Sequence, residues 1–565
     1  MSLFGSIQMA GNTLQANDIA LQVVGQNIAN ANTPGYLREV TNFETGPTQQ
    51  VGNVVLGTGT KVLSVTQQVN QFLEQQLRGA NSDQANSSAL QSAYTTLETS
   101  IGALSSTGSV GSSLTSFFNS ISNVLNQPGN NTALTQVVSQ AQSLTQGIQN
   151  LDSQVSQQRS NLDSQIQALG NQINTLVTGI AQLNQQIIQF GPGKATQSDV
   201  VGLTDQRQQD LDSLSNIVGI QTLAQTDGSV NVYVGGDYLV DGSITQSVDI
   251  SESANRGITV STIQLANTNT PLQSSTGQLA GLTTARDTVL GGFQDQLDNF
   301  SASLTNEFNK VYASGQGTVG YSSVSSLNAV NDPDQSLDGT GLNLTPVNGS
   351  FDITTTNQQT GLATTTNIPV SLLGSGHDTT LNTLAAEING VSGLQATVAN
   401  GKLSIASTSP NLTFAFSNDN SNTLAALGIN TFFTGTSGHD ISVNSTVVQN
   451  VNLFAASQGG VGVDTNNALQ LANFGSQPLA SQGGNTITGL YSDIVNNVSQ
   501  NSASATAAAT SANTVQQTLS AQELSVSGVN IDEETVNLLQ YQEAYAASAK
   551  YISTLNTLLT DLIQL

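Results

Sequence analysis

Few residues in this chain could do chemistry. Its 565 residues include no cysteine and two histidines. His377 and His439 each stand in a Gly-His-Asp triplet. Two His-Asp pairs meeting across one domain could bind a metal. Neither histidine has a second at i+4 or a carboxylate placed as on a metallopeptidase helix. Polar turn residues are the simpler reading. Gly235-Gly236 lacks a dinucleotide fingerprint and reads as a turn, and no nucleophile elbow or phosphate loop stands between a strand and a helix. Asp532-Glu533-Glu534 invites a paired-carboxylate reading. A helix start accounts for it: acids in the first turn complement the dipole, Asn530 is a good N-cap, and Glu533 completes a capping box. The reading is therefore of a protein without enzymatic activity, with no catalytic residue, cofactor or metal site.

The elements around those residues are more informative. Leu3, Ile7, Ala10, Leu14, Asn17, Leu21, Val24 and Ile28 recur at steps of four and three. So do Ile531, Thr535, Leu538, Gln542, Tyr545, Ala549, Ile552, Leu555, Leu559 and Leu562 at the other end. This rhythm puts one apolar seam on each helix. A helix with a single apolar stripe is marginal alone and needs a partner. The two ends most simply pair with each other as a coiled coil, then with further copies. Asn17 and Gln542 fall in the seams, where polar residues cost stability and set register.

The first helix is expected to stop at Asn32-Thr33-Pro34-Gly35. Extended chain follows to Val65, with a turn at Gly57-Thr58-Gly59. A second helix is expected from about Gln67 to Leu104. The cleanest heptads run from Leu134 to Phe190, a rod of roughly 85 Å at about 1.5 Å per residue. Gln158 and Arg159 interrupt that seam and suggest a local break. Residues 218–265 read as β, with a hairpin at Gly235-Gly236. Helix returns from Thr284 to Ala313 and again from Asn485 to Leu524, the latter expected to cover the Leu134–Phe190 rod. Residues 326–459 read as mostly β with short helices at Leu381–Asn389 and Thr423–Leu427.

The expected fold is mainly α with an inserted β domain, a nested multidomain rod. Residues 1–35 with 530–565 form a terminal coiled-coil inner domain. Residues 36–325 with 460–529 form a long helical domain with β-hairpins, and 326–459 a mostly β outer domain. The net charge is −26, from 37 acidic and 11 basic residues. That excludes nucleic acid as a partner. No run approaches the roughly 18 apolar residues of a membrane span. Residues 1–14 lack a basic start and an apolar core, so no cleaved secretory signal is expected.

Several blocks carry a resemblance. Gly25-Gln26-Asn27-Ile28-Ala29-Asn30-Ala31-Asn32-Thr33-Pro34-Gly35-Tyr36 resembles the N-terminal signature of bacterial flagellar rod, hook and junction proteins. Gln71–Arg78 and Ser527-Gly528-Val529-Asn530-Ile531-Asp532-Glu533-Glu534 are similar to blocks of that family's hook–filament junction members. So are Gly277–Leu282 with Arg286-Asp287, and Leu427–Phe433. Residues 381–406 are similar to a small β motif of hook and flagellin proteins.

The resemblance implies a structural subunit at the junction between hook and filament, outside the cell and part of the flagellum. It implies export without signal cleavage and a chaperone bound to the C-terminal helix. It also implies helical ring assembly with copies of itself, beside hook protein and a second junction protein. Asn27, Asn30, Pro34, Gly35, Tyr36, Gly528, Asn530, Asp532, Glu533 and Glu534 are the motif positions it marks. Hook protein, the second junction protein and a surface adhesin acting through 326–459 are the alternatives.

Overall fold

The computed structural model describes residues 3–33, 35–51, 54–102, 108–190, 198–374, 376–460 and 464–564. The expected stop at Asn32-Thr33-Pro34-Gly35 lies partly outside the described residues. The chain is mainly helical, with a β-rich insertion late in the sequence. Long helices are α1 (Leu3–Asn30), α2 (Gln71–Ile101), α3 (Val110–Asn126), α4 (Asn131–Phe190), α5 (Ser198–Ile217), α6 (Gly291–Ala313), α7 (Ile487–Ser527) and α8 (Ile531–Gln564). Contacts divide the chain into two compact units: residues 1–92, 160–286 and 504–565, and residues 93–159 and 287–503.

In the first unit, α1 packs along α8. The other side of α1 lies on an antiparallel hairpin of β1 (Glu39–Thr45) and β2 (Thr60–Gln67). Gly59 crosses that side so closely that a Cβ there would lie 2.6 Å from the Met9 carbonyl, and its φ is +93°. Only glycine suits that position. Below the hairpin, Val23, Val65 and Val201 bring α1, β2 and α5 together. The half of α4 from Ile166 to Ala181 is covered by α5 and by sheet residues such as Val232, Val240 and Ile263. The expected partner of that stretch, α7, does not contribute to this core.

The hairpin expected at Gly235-Gly236 is present, with Val234 paired to Asp237. The block Gly277–Leu282 is a close helix approach. A Cβ on Gly281 would lie 2.7 Å from the Asn86 carbonyl. Arg286 reaches the buried Asp163 and the carbonyl of Ser261, which holds the 258–265 strand to α4.

The second unit has two apolar centres. Phe117 and Phe118 of α3, Phe308 and Tyr312 of α6, and Phe432, Phe433, Phe454 and Phe474 form one cluster. Asn309 pins it, donating to the Phe433 carbonyl and accepting from the amides of Phe432 and Phe433. The β insertion has its own core around Phe351, Ile353, Leu384, Ile405, Phe414 and Phe416. Its helices at Leu381–Asn389 and Thr423–Leu427 fall where the sequence puts them.

Two readings are corrected. No break occurs at Gln158-Arg159: α4 is continuous over 60 residues. Arg159 is fully buried and donates to Gln294 Oε1 at 2.7 Å, so the helix carries its charge inside without fraying. Helices α3 and α5 are also present where no helix was expected.

Candidate assembly site

The terminal helices meet through their seams, but not at every position. Asn17, Val24 and Leu555 are buried. Leu3, Ile7, Leu14, Leu21, Ile28, Leu538, Ile552 and Leu559 are half-buried, while Tyr545 and Leu562 are exposed. The end of α1 meets the start of α8, so the helices run antiparallel. With 34 residues against 28, α8 is six residues longer than α1. Leu562 and Ile563 near its end are exposed, as is Phe4 near the start of α1. Val536, Leu539 and Leu558 of α8 are also at least half exposed.

α1 is buried on a second stripe as well. Ala16, Ala20, Val23 and Asn27 recur at steps of four, three and four. Small residues there let the hairpin come close. Asn12 and Thr13 fix it in place, with Asn12 Nδ2 donating to the Thr58 carbonyl and the Thr60 amide to Thr13 Oγ1.

Where α1, the hairpin and α8 meet, the motif residues come together. Asn27 is 1% exposed and uses its whole amide. Its Nδ2 donates to the Glu39 carbonyl at 2.9 Å and to Glu534 Oε2 at 3.0 Å. Its Oδ1 accepts from the Glu39 amide at 3.0 Å and the Tyr36 hydroxyl at 2.9 Å. Burial, then the nearby carboxylates of Glu39, Asp205 and Glu534, push the Tyr36 phenol well above its ordinary range. It therefore stays protonated and donates.

Glu534 is also 1% exposed. Arg38 reaches it through Nε at 2.9 Å and Nη2 at 2.8 Å, and reaches Glu533 through Nη1 at 2.8 Å. The Arg38 amide donates to the Ser527 carbonyl. Arg38, just before β1, thus holds both the end of α7 and the start of α8. Buried acceptors on a carboxylate are costly unless they are filled, and here Arg38 and Asn27 fill them.

The remaining motif positions shape the backbone. Asn530 caps α8, accepting from the amide of Asp532 at 3.0 Å. The capping reading holds for Asn530, while Asp532 stays exposed in the first turn. It is incomplete for the two glutamates, whose carboxylates turn to Arg38. The Ser525–Gly528 joint is tied by that Ser527 bond and by the Gly528 amide to the Leu524 carbonyl. A Cβ on Gly528 would lie 2.3 Å from that carbonyl. Asn30 accepts from Thr33 Oγ1, and Gly35 turns with φ +76° against Gln209. Pro34 lies outside the described residues.

Arg38 and Glu39 escaped the sequence reading. The only local signal was that Arg38 is one of 11 basic residues in so acidic a chain.

The histidines do not converge. His377 is an exposed loop residue, and His439 lies 3.6 Å from Asp152 with its ring open to solvent. Among the described residues no group of three or more acidic or histidine side chains could hold a metal ion. No described helix is long and apolar enough to cross a membrane.

This arrangement matches known families. The family described as flagellar hook-associated protein FlgK helical domain matches residues 94–324. Flagella basal body rod protein matches 7–36, and flagellar basal body rod FlgEFG protein C-terminal matches 520–565. The last two span the seams and the motif residues of the helix joint. Flagellar hook-associated protein 1 of Salmonella typhimurium (strain LT2) is 27% identical over 590 residues, covering 99% of each chain. The Escherichia coli K12 protein of that name is 25% identical over 579 residues, again covering 99% of each. A solved structure, the flagellar hook junction protein FlgK from Burkholderia pseudomallei, aligns at 18% identity over 79% of this chain and 99% of its own, with a TM-score of 0.49.

The joined terminal helices and the matched end segments define a flagellar axial protein, a structural component of the flagellum. Within that class the chain is similar over 99% of its length to flagellar hook-associated protein 1 of Salmonella typhimurium and of Escherichia coli.

Proposed function

We propose that this chain is a structural subunit of the junction between flagellar hook and filament, built in through α1 and α8. The observation that carries this reading is an inner helix pair locked at one end, with an apolar face of α8 left open. Val536, Leu539, Leu558 and Leu562 on that face are each at least half exposed. Side chains of this kind associate when a neighbour removes them from water, at about 25 cal/mol per Å². A second copy is the first partner, giving a helical ring. Hook protein and the second junction protein would flank it. An export chaperone on residues 530–565 would shield the same face inside the cell, and export would need no signal cleavage.

The role requires no catalysis. Residues 1–35 with 530–565 would form the inner layer, 36–325 with 460–529 the next, and 326–459 the outer. The adhesin and other axial readings draw no support from the matches.

The test is complementation of a strain lacking the gene. The native gene should restore filaments. A triple Leu539→Gln, Leu558→Gln, Leu562→Gln variant should fold and yet leave hooks without filaments. Normal filaments on that variant would reject α8 as the assembly face.

A further inference from the structure

Beneath the helix joint lies a pair of acids without a base. Glu39 and Gln67 are opposite one another in the β1–β2 ladder. Glu39 is 7% exposed, and its Oε2 has no hydrogen-bond partner. Gln67 Nε2 donates to Asp205 Oδ1 on α5. Asp205 and Glu39 interact electrostatically, and among the described residues no basic side chain bonds to either. Arg38 is turned to Glu533 and Glu534. On α5, Arg207 is turned to Asn184 and to the Gly228 carbonyl. The other titratable groups nearby are Tyr36, from the turn after α1, and Glu534, from α8.

Two interacting carboxylates in a partly dry site cannot both ionise cheaply. Burial, then Glu39, pushes Asp205 up to about 7, against a weaker lowering by Gln67. Burial also raises Glu39. Gln67, opposite Glu39 in the ladder, ties Asp205 to the hairpin, and a proton on Asp205 removes the repulsion between the two acids. Glu39 is also the residue whose main chain Asn27 grips from both sides. Through Gln67 opposite it, the strand that the helix joint grips is therefore tied to α5.

We propose that Asp205 and Glu39 form a proton-held latch between α5 and the β1–β2 hairpin, closed in acid and progressively released as the solution approaches neutrality. The sign follows from the raised carboxylic acid. An open state has Asp205 near its ordinary value of 3.8, and the closed state holds it near 7. The contact is at full strength below about 4, weakens through the window up to about 7, and is level above it.

The latch lies within one chain, so it can be measured on the full-length isolated protein whether or not that protein assembles at a junction. Hydrogen exchange, corrected for intrinsic rates, is followed at 39–45, 60–67 and 198–217 at pH 5 and pH 7. An open state gains up to about tenfold per pH unit in this window. Protection in the native protein should fall at least about tenfold between the two. In Asp205→Asn, which keeps the acceptor for Gln67, the fall should vanish. Glu39→Gln should flatten it too, and serves if the first variant misfolds. Equal protection at both pH values in the native protein would overturn the latch, as would an unchanged pH response in a folded variant.

Discussion

Replacing Glu534 with alanine is the sharpest test of the helix joint. The native carboxylate accepts two bonds from Arg38 and one from Asn27, at 2.8 to 3.0 Å, with almost no exposure. Hydrogen bonds to charged groups contribute about 1.5–3 kcal/mol each, and stripping one partner from a buried ion pair costs about 3–5 kcal/mol. Arg38 keeps Glu533, and its side chain is 16% exposed, so water and that second glutamate recover part of the loss. Asn27 keeps its three other bonds. The net cost should be about 2–3 kcal/mol, or roughly 30- to 150-fold in the opening of α8. Native-state hydrogen exchange reads this directly. Protection over 531–545 should fall by that factor, up to the limit of its native protection. Protection over 160–180, in the α5-covered half of α4, should hold. Unchanged protection in Glu534→Ala would refute the account of the joint, and equal loss in both segments would show that the variant acts on the whole fold.

Three further changes follow from the same geometry. Asn17 Nδ2 is buried without a partner, so Asn17→Leu should raise the thermal midpoint, with a gain of about 1–2 kcal/mol. It should also loosen the register of α1 on α8, seen as mixed cross-links from engineered cysteine pairs; a lower midpoint would contradict this. Gly528→Ala should cost about 1–3 kcal/mol because its Cβ meets the Leu524 carbonyl, and chemical denaturation should show an earlier loss of helix. Burial raises Asp163, but bonds from Ser261 and Arg286 outweigh it and hold its carboxyl below the ordinary range. Its contribution is present above pH 4 and is lost as the solution becomes more acid through the lowered value. Circular dichroism in acid should show a steeper loss in the native protein than in Asp163→Asn, which starts less stable at neutral pH.

The helices with unbroken seams were legible because a stripe at 3.5 spacing survives any context. α4 is the clear case, and even Arg159 does not break it: buried, it donates to the Gln294 amide oxygen. α5 was not legible. Its buried residues Val201, Leu211, Leu214 and Ile217 are separated by Asp205, Arg207 and Asp212, polar residues that bond to partners on other elements. Those pairings have no trace in local spacing.

The same limit applied to the joint. Asn27 and Glu534 stand 507 positions apart. Helix-start chemistry explains acids at 532–534 so fully that nothing local pointed to Arg38. Resemblance marked Asn27, Tyr36, Gly528 and Glu534. Geometry supplied their reasons: an amide used at both ends, a donor phenol, a carbonyl in the path of a Cβ, and a buried acceptor.

Heptad spacing named the stripe on α8 without showing which part a single chain covers. Packing in the fold decides it: Leu555 is covered, while Leu558 and Leu562 stay exposed.

The central claim is the place of this chain in the flagellum. Gold labelling of residues 326–459 on intact flagellated cells, viewed by electron microscopy, addresses it most directly. A single narrow band where hook meets filament is the expected result. Label running along the hook or the filament, or confined to the cell body, would contradict the junction role.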